Sequence, residues 1–270
     1  MGARVVRPPV ALTVAGTDSG GGAGITADLK TFEALDVWGT CAVVAVTAQN
    51  TLGVQAFETL PAALVRAQIR SVTTDIGVDA AKTGMLATAE LVAAVADALD
   101  EAGRPPLVVD PVFVSKHGDT LLADDAVAAL LGRLLPLATL VTPNLPEAAA
   151  LTGLAITDRD GMLAAAGALA TTGVGTVLVK GGHLGGDGSP DLVWTGGVAT
   201  WLEADRIPGR HTHGTGCTLS AAITAELAKG MDPLDACIAA KRFVERAIVA
   251  GLELGGGVGP VDPGWGRRQS

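Results

Sequence analysis

Nine residues, His211-Thr212-His213-Gly214-Thr215-Gly216-Cys217-Thr218-Leu219, lead straight into an alanine-rich stretch. Small side chains there let backbone N–H groups point at a ligand, and the start of a helix adds positive potential. Such a turn suits an anion whose charge grows during reaction, as that of a transferring phosphoryl group does. Gly214, Thr215 and Gly216 would form the turn. Cys217 would sit in the first helical turn, where a thiol is expected to ionise near neutral pH and to accept a proton from a substrate hydroxyl. The plainer alternative is a glycine-rich helix start with a small apolar cysteine. His211 and His213 suggest a metal site only weakly, because no third ligand accompanies them.

Three further segments carry chemically useful residues. In Gly16-Thr17-Asp18-Ser19-Gly20-Gly21-Gly22-Ala23-Gly24, continuing to Asp28, a nominal dinucleotide pattern appears at 22–27. Asp18 precedes it where a pyrophosphate would be repelled, and no acidic residue follows about twenty positions on, so the segment reads instead as a loop for a small substrate. Asp28 either faces into that site or is a solvated helix residue. Thr142-Pro143-Asn144-Leu145-Pro146-Glu147 has the spacing of a capping box, or an Asn and a Glu placed to hold hydrated Mg²⁺. Asp110, with Lys116, His117 and Asp119 after it, and Lys180-Gly181-Gly182-His183 add a carboxylate and cations for metal and phosphate; either lysine alone also reads as a surface charge. There is no G-x-x-x-x-G-K-[ST] sequence, which excludes a P-loop enzyme.

Alternating strands and helices would hold these loops. Apolar runs at 10–16, 41–48, 107–110, 140–142 and 176–180 read as strands. Residues 25–35, 64–72, 89–99, 216–229 and 233–250 read as helices. Continuous apolar strands between helices predict an α/β fold with a mostly parallel sheet covered on both faces. Two stretches depart from that pattern: 51–60 alternates like a half-exposed strand, and 191–202 reads as a hairpin around Thr195-Gly196-Gly197. The chemical segments all follow strands, where open α/β sheets bind ligands, and so converge on one site. No linker or repeat interrupts the chain, which reads as one domain over 1–270 with flexible ends at 1–8 and 262–270.

Composition narrows the class of function. Of 270 residues, 49% are hydrophobic and 3% aromatic with no Tyr, so the core is built from Ala, Val and Leu, and base-stacking platforms are not expected. A net charge of −9 without a basic run argues against nucleic acid. No apolar stretch is long enough to span a membrane. Three scattered cysteines, Cys41, Cys217 and Cys237, predict neither disulfides nor zinc but a reducing, cytoplasmic compartment.

In this order the segments resemble those of the hydroxymethylpyrimidine/phosphomethylpyrimidine kinases of thiamine synthesis, within the ribokinase-like family. The match runs from residue 11 to about 261 and includes 15–25, Thr47-Ala48-Gln49-Asn50-Thr51, Lys82-Thr83-Gly84-Met85-Leu86, 142–147, 180–183 and 213–219. Cys217 carries it most specifically, since ribokinase-like enzymes generally have Asp there. The resemblance implies a ribokinase-like central sheet with helices on both faces, a homodimer, and Mg²⁺ with ATP as phosphoryl donor. It implies two phosphorylations, first of the hydroxymethyl group and then of the monophosphate. By motif, Gly16, Asp28, Gln49, Met85 and Val112 would line the pyrimidine pocket. Asp110, Asn144 and Glu147 would organise Mg²⁺ and phosphate, Lys180, Thr212 and Lys241 the nucleotide, and Gly214 to Cys217 the anion hole. Thr26, Phe113 and His117 depart from the usual family residues. Pyridoxal kinases of the same superfamily are the nearest alternative, and a non-catalytic pyrimidine-binding regulator a further one that retention of Lys180, Gly216 and Cys217 disfavours.

Overall fold

The computed structural model describes residues 7–112 and 124–267; Phe113, Lys116, His117 and Asp119 lie outside the described residues. In chain order the elements are β1 (Val10–Ala15), α1 (Gly24–Ala34), β2 (Trp38–Val43), β3 (Ala45–Asn50), β4 (Gly53–Thr59), α2 (Ala62–Asp75), β5 (Ala80–Thr83), α3 (Ala89–Glu101), β6 (Leu107–Val109) and α4 (Asp124–Ala129). After a π-helical and a 3-10 turn come β7 (Leu140–Val141), α5 (Leu145–Thr152), α6 (Arg159–Ala170), β8 (Thr176–Val179), β9 (Asp191–Thr195), β10 (Val198–Leu202), α7 (Thr215–Ala228) and α8 (Pro233–Val249).

An eight-stranded sheet has the order β10-β9-β8-β7-β6-β5-β1-β2. Its strands pair in parallel from β2 to β8, and the β9–β10 hairpin adds antiparallel strands at the far edge. Alternation of side chains divides each strand between two cores. Leu12, Val14, Leu107 and Val109 pack with residues of α2 to α6, while Ala11, Val108 and their like pack beneath α1, α7 and α8. The mostly parallel, doubly covered sheet is the one the sequence predicts. Because β2 and β5 lie on opposite sides of β1, the strand order reverses there, and the crevice for a ligand opens beyond the end of β1.

The apolar run at 41–48 is two strands rather than one. Val44 turns the chain out of the main sheet, donating its N–H to Ala15 O and accepting from Leu60 N. Beyond it β3 pairs with β4 in a separate antiparallel hairpin with an irregularity between Ala48 and Gln49. Such a split is invisible in a continuous β-branched run, since each half suits a strand.

The tail is ordered further than expected. Val258 N–H donates to Thr51 O, His213 N–H to Gly259 O, Val261 N–H to His213 O and Asp262 N–H to Ala247 O, so residues 257–262 lie across three earlier segments. Asp262 is buried, and Trp265 tilts against Phe243 and under the Arg246 guanidinium. These apolar and hydrogen-bonded contacts hold what a glycine-rich composition alone suggests is loose. At the other end Arg7 is ion-paired with Asp79.

Candidate active site

The loop after β1 is shaped by its own aspartate. Asp18 is buried, and its carboxylate accepts N–H bonds from Gly20 (2.8 Å), Gly22 (3.0 Å) and Ala23 (2.8 Å) and a bond from His213 Nε2 (2.9 Å). Burial opposes its ionisation, but His213 and the backbone donors outweigh that and hold the carboxyl below its usual range. Gly24, at φ +56°, has no room for a side chain, because a Cβ there would stand 2.3 Å from Gly16 O. A Cβ on Gly16 would meet Met85 Cε at 2.6 Å, so these two expected pocket residues do adjoin. Gln49, half-buried at the end of β3, hydrogen-bonds Ser19 through its backbone, and its side-chain Nε2 lies 3.5 Å from His213 Nε2. Val112 is half-buried beside Asp110, to whose carbonyl its N–H donates.

Asp28 faces inward rather than into water, yet its carboxylate is fully buried beneath the loop. It accepts from Thr13 Oγ1 (2.6 Å) and Lys82 Nζ (2.9 Å). Burial raises the Asp28 carboxyl more than Lys82 and Thr13 lower it, and the same carboxylate keeps the buried Lys82 ammonium above its usual value. Lys82 was legible only as part of a family motif: a lysine in the short strand Ala80–Thr83 carries no signal of full burial.

The turn before α7 docks on this loop. Gly214 has φ +80°, and a Cβ there would overlap Gly22 O at 1.7 Å. No side chain caps α7, and among the described residues the N–H groups of Gly216 and Cys217 meet no backbone acceptor, which leaves them for an anion. The expected low thiol pKa is not found. Burial pushes the Cys217 thiol up to about 11; Lys82 and the Gly24 N–H lower it, Asp28 and Asp110 raise it, and the helix start does not prevail. Alkylation of Cys217 by iodoacetamide is therefore expected to be slow at about pH 7.5 and to rise roughly tenfold per pH unit toward pH ~11, since the thiolate is the nucleophile. Mass-spectrometric alkylation rates that level off near pH 8.5 would contradict a half-buried, carboxylate-flanked thiol.

Across the turn stands a charged cluster on three strand ends. Lys180 Nζ lies 3.1 Å from Asp110 Oδ1 and 3.7 Å from Glu147 Oε2. Asp110 also accepts from Thr142 Oγ1 and Ser220 Oγ, both at 3.1 Å. Despite burial, Lys180, Lys82 and Thr142 hold the Asp110 carboxyl low, and Asp110 with Glu147 keeps Lys180 raised. Glu147 is pushed up to about 7 by burial, with Lys180 opposing and Asp110 reinforcing the shift. Asn144 and Glu147 make both bonds of a capping box at α5, so the Asn144 side-chain oxygen belongs to the helix start. A Cβ placed on Gly216 would be 3.5 Å from Lys180 Nζ, which puts turn and cation on opposite walls of one small space.

Other expected nucleotide residues stand farther back. Lys241 donates to Ser189 O (2.9 Å) and Asp191 Oδ2 (2.7 Å), and Asp191 Oδ1 accepts from Gly181 N–H, so Lys241 braces the loop after Lys180. Thr212 contributes its carbonyl to the Thr215 hydroxyl. Ahead of the turn, Ile207, Pro208, Gly209 and His211 with Ile248, Val249 and Gly251 line a cleft of about 390 Å³. Among the described residues no group of three or more His, Cys, Asp or Glu is arranged to hold a metal ion, and His213 is directed at Asp18. Ser220, which with Thr142 orients Asp110, escaped sequence reasoning because a single hydroxyl within a helix carries no distinguishing pattern.

A family profile described as phosphomethylpyrimidine kinase matches residues 18–262. The hydroxymethylpyrimidine/phosphomethylpyrimidine kinase of Streptomyces coelicolor is 56% identical over 261 residues, 96% of either chain. Among solved structures, an ADP complex of Bacillus subtilis pyridoxal kinase superposes with a TM-score of 0.90 at 40% identity, covering 96% of this chain and 99% of that one. The phosphomethylpyrimidine kinase of Clostridium difficile 630 gives 0.79 at 40% identity, covering 88% and 99%. A glycine-rich turn, a charged cluster around Lys180 and a match along nearly the whole sequence agree: the chain belongs to the phosphomethylpyrimidine kinase family.

Proposed function

We propose that this chain transfers the γ-phosphoryl group of ATP to the hydroxymethyl group of 4-amino-5-hydroxymethyl-2-methylpyrimidine, and then phosphorylates the monophosphate to the diphosphate, in thiamine biosynthesis. The observation that carries this reading is the placement of Gly216 and Cys217 between two walls. Lys180 and Asp110 lie on one side, and the loop from Gly16 to Gly24, with Met85 and Gln49, on the other. ATP enters from the cation side. Its phosphates lie against Lys180 and the Gly214–Gly216 turn, and the apolar cleft at Ile207 and Val249 suits an adenine ring. Asp28 and Lys241 act through Lys82 and Asp191 rather than by touching ligand.

Phosphoryl transfer is loose, with little bonding to the nucleophile at its summit, so placing and neutralising the oxygens carries most of the rate. The turn N–H groups and Lys180 supply that. Cys217 remains the nearest candidate to receive the hydroxyl proton; because it rests as a thiol, it does so only from the minor ionised form. Cys217→Ala is expected to lower kcat by roughly 10²-fold, with both KM values little changed. Mg²⁺ fits the hard-oxygen donor set of Asp110 and Glu147, but Thr142, Lys180 and Ser220 already occupy Asp110, so the metal would be held largely through its waters and ATP. When bound it would neutralise phosphate charge.

Exposed Val46, Leu52 and Phe57, on the β3–β4 hairpin, support a homodimer. Unpaired Cys41, Cys217 and Cys237 support a reducing, cytoplasmic setting, and a single eight-stranded sheet supports reading 1–270 as one domain. The likeness to Bacillus subtilis pyridoxal kinase favours a second reading, phosphorylation of pyridoxal.

A coupled ADP-release assay with hydroxymethylpyrimidine, its monophosphate and pyridoxal separates the two. The pyrimidines are expected to be turned over, and Gln49→Ala to raise the pyrimidine KM while ATP affinity stays near wild type. Release of ADP with pyridoxal alone would overturn the pyrimidine assignment, and weakened ATP binding in Gln49→Ala would displace Gln49 from the pocket.

A further inference from the structure

Between the substrate loop and the phosphoryl turn the backbones touch with no side chain interposed. The Cβ site of Gly214 falls 1.7 Å from Gly22 O, and that of Gly22 falls 2.5 Å from His213 Cδ2 and 2.9 Å from Pro260 Cβ. His213 is the residue immediately before the turn and is 5% exposed. Its N–H and C=O are fixed by Gly259 and Val261, so its ring is held from behind by the tail and from the side by the loop. The ring then reaches across the seam to Asp18 Oδ2 at 2.9 Å. An ionised carboxylate accepts only, so Nε2 carries the hydrogen and donates it. Asp18, in turn, draws the N–H groups of Gly20, Gly22 and Ala23 around itself. One carboxylate thus sets the curvature of the substrate loop and, through one imidazole, the position of the turn.

We propose that Asp18 and His213 form a positioning pair for phosphoryl transfer, joining the loop that holds the substrate hydroxyl to the turn that receives the transferring phosphoryl group. Neither residue touches reacting atoms. The pair fixes the relative placement of two segments that separately approach the nucleophile and the phosphate. On its far side the turn runs into α7, where Thr218 N–H donates to Gly214 O, so Gly214, Thr215 and Gly216 are held between the pair and the helix. With His213 removed, the turn keeps its helix and its cation wall but swings on the start of α7. The in-line approach then suffers while nucleotide binding through Lys180 does not. The charge of Asp18 supports this design: the carboxyl is held ionised against its burial by His213 and the loop amides, so the bond is charge-assisted and directional.

The proposal rests on the phosphotransferase reading above, and the experiment keeps the two apart. Wild type, His213→Ala, His213→Gln, His213→Asn, Asp18→Asn and the Asp18→Asn/His213→Ala double variant are assayed for hydroxymethylpyrimidine-dependent ADP release, with melting temperatures on the same preparations. No turnover by wild type would overturn the phosphotransferase reading itself. With an active wild type, His213→Ala is expected to lose roughly 10–100-fold in kcat with less than about threefold change in the KM for ATP. His213→Gln, whose side-chain nitrogen reaches the place of Nε2, should recover about tenfold of that loss. The shorter His213→Asn should not. The double variant should be no slower than the worse single variant, the signature of residues that act as a unit. If His213→Ala does not fold, the Gln and Asn variants carry the same contrast per folded molecule. A kcat for His213→Ala within about twofold of wild type, Gln and Asn variants of equal rate, or losses that follow melting temperature alone would each overturn the pair's role.

Discussion

Gly216→Ala is expected to abolish most phosphoryl transfer, a loss of roughly 10³-fold in kcat/KM, while leaving the melting temperature within about two degrees of wild type. Gly216 does not have positive φ, and it lies in the first turn of α7, where alanine is if anything the better helix former. The added methyl meets Lys180 Nζ at 3.5 Å and Asp110 Oδ2 at 3.9 Å, ordinary contacts that displace no protein atom. It fills instead the space between the turn N–H groups and the Lys180 ammonium, where phosphoryl oxygens must lie. Gly214→Ala, two residues earlier, makes the contrast. Its φ of +80° and a Cβ 1.7 Å from Gly22 O force the loop and turn apart, so stability and activity fall together. Thermal melting and steady-state kinetics on both variants decide the matter. A Gly216→Ala enzyme with near-normal kcat/KM would place the phosphoryl group somewhere other than this turn.

Lys180→Met should be as damaging to catalysis, and its damage to the fold should depend on pH. Methionine keeps much of the stem but leaves Asp110 and Glu147 buried without their shared cation. Breaking such a pair on one side costs about 3–5 kcal/mol. The sign with pH follows from which state holds the proton. Glu147 is raised to about 7 in the folded protein, so below that pH the fold binds a proton the unfolded chain has already released, and stability falls as pH rises through this window. Asp110 is lowered and contributes the opposite way: its stabilisation is present above its unfolded pKa and disappears as pH falls through the folded one. Removal of Lys180 raises both carboxyls, cancelling the Asp110 benefit and extending the Glu147 penalty upward. The melting-temperature difference from wild type should therefore be larger at about pH 8 than at about pH 5, alongside a loss of roughly 10³-fold in kcat/KM for ATP at either pH. Equal differences at the two pH values would show that the cluster is not held by this cation.

Much of the architecture was legible because parallel, doubly covered strands read as continuous apolar runs. The hairpin at β9–β10 was equally plain from Thr195-Gly196-Gly197. Strand β5 was not, because Ala80-Ala81-Lys82-Thr83 has neither β-branched density nor an apolar third residue; its lysine is buried only because Asp28, on a helix 54 positions away in sequence, meets it there. The helices α5 and α6 were passed over for want of a long periodic stretch, although Asn144 and Glu147 had marked the start of the first. At the site, residue types and strand-end positions singled out Lys180, Asp110 and the Gly214–Gly216 turn, which the fold brings close together. What composition and spacing could not express was environment. The charge on Cys217 depends on how deeply it is covered and on which of Lys82, Asp28 and Asp110 stands nearest, and none of these is its neighbour in sequence. Asp18 was read as an obstacle to phosphate, when its carboxylate already has backbone amides and an imidazole for partners.

The segment at 257–262, laid along Thr51, His213 and Ala247, sets a timetable for the molecule. A ribosome delivers the strands β1 to β8 and their covering helices first, and domains assemble from that end as they emerge. From its own synthesis until residues 259–261 follow, His213 lacks the Gly259 and Val261 backbone partners that hold its ring over the loop. A nascent chain halted before residue 257 has the means to lay down its sheet but not to seat the histidine. One of the last of the described segments to be made is thus the one that fastens the turn before α7.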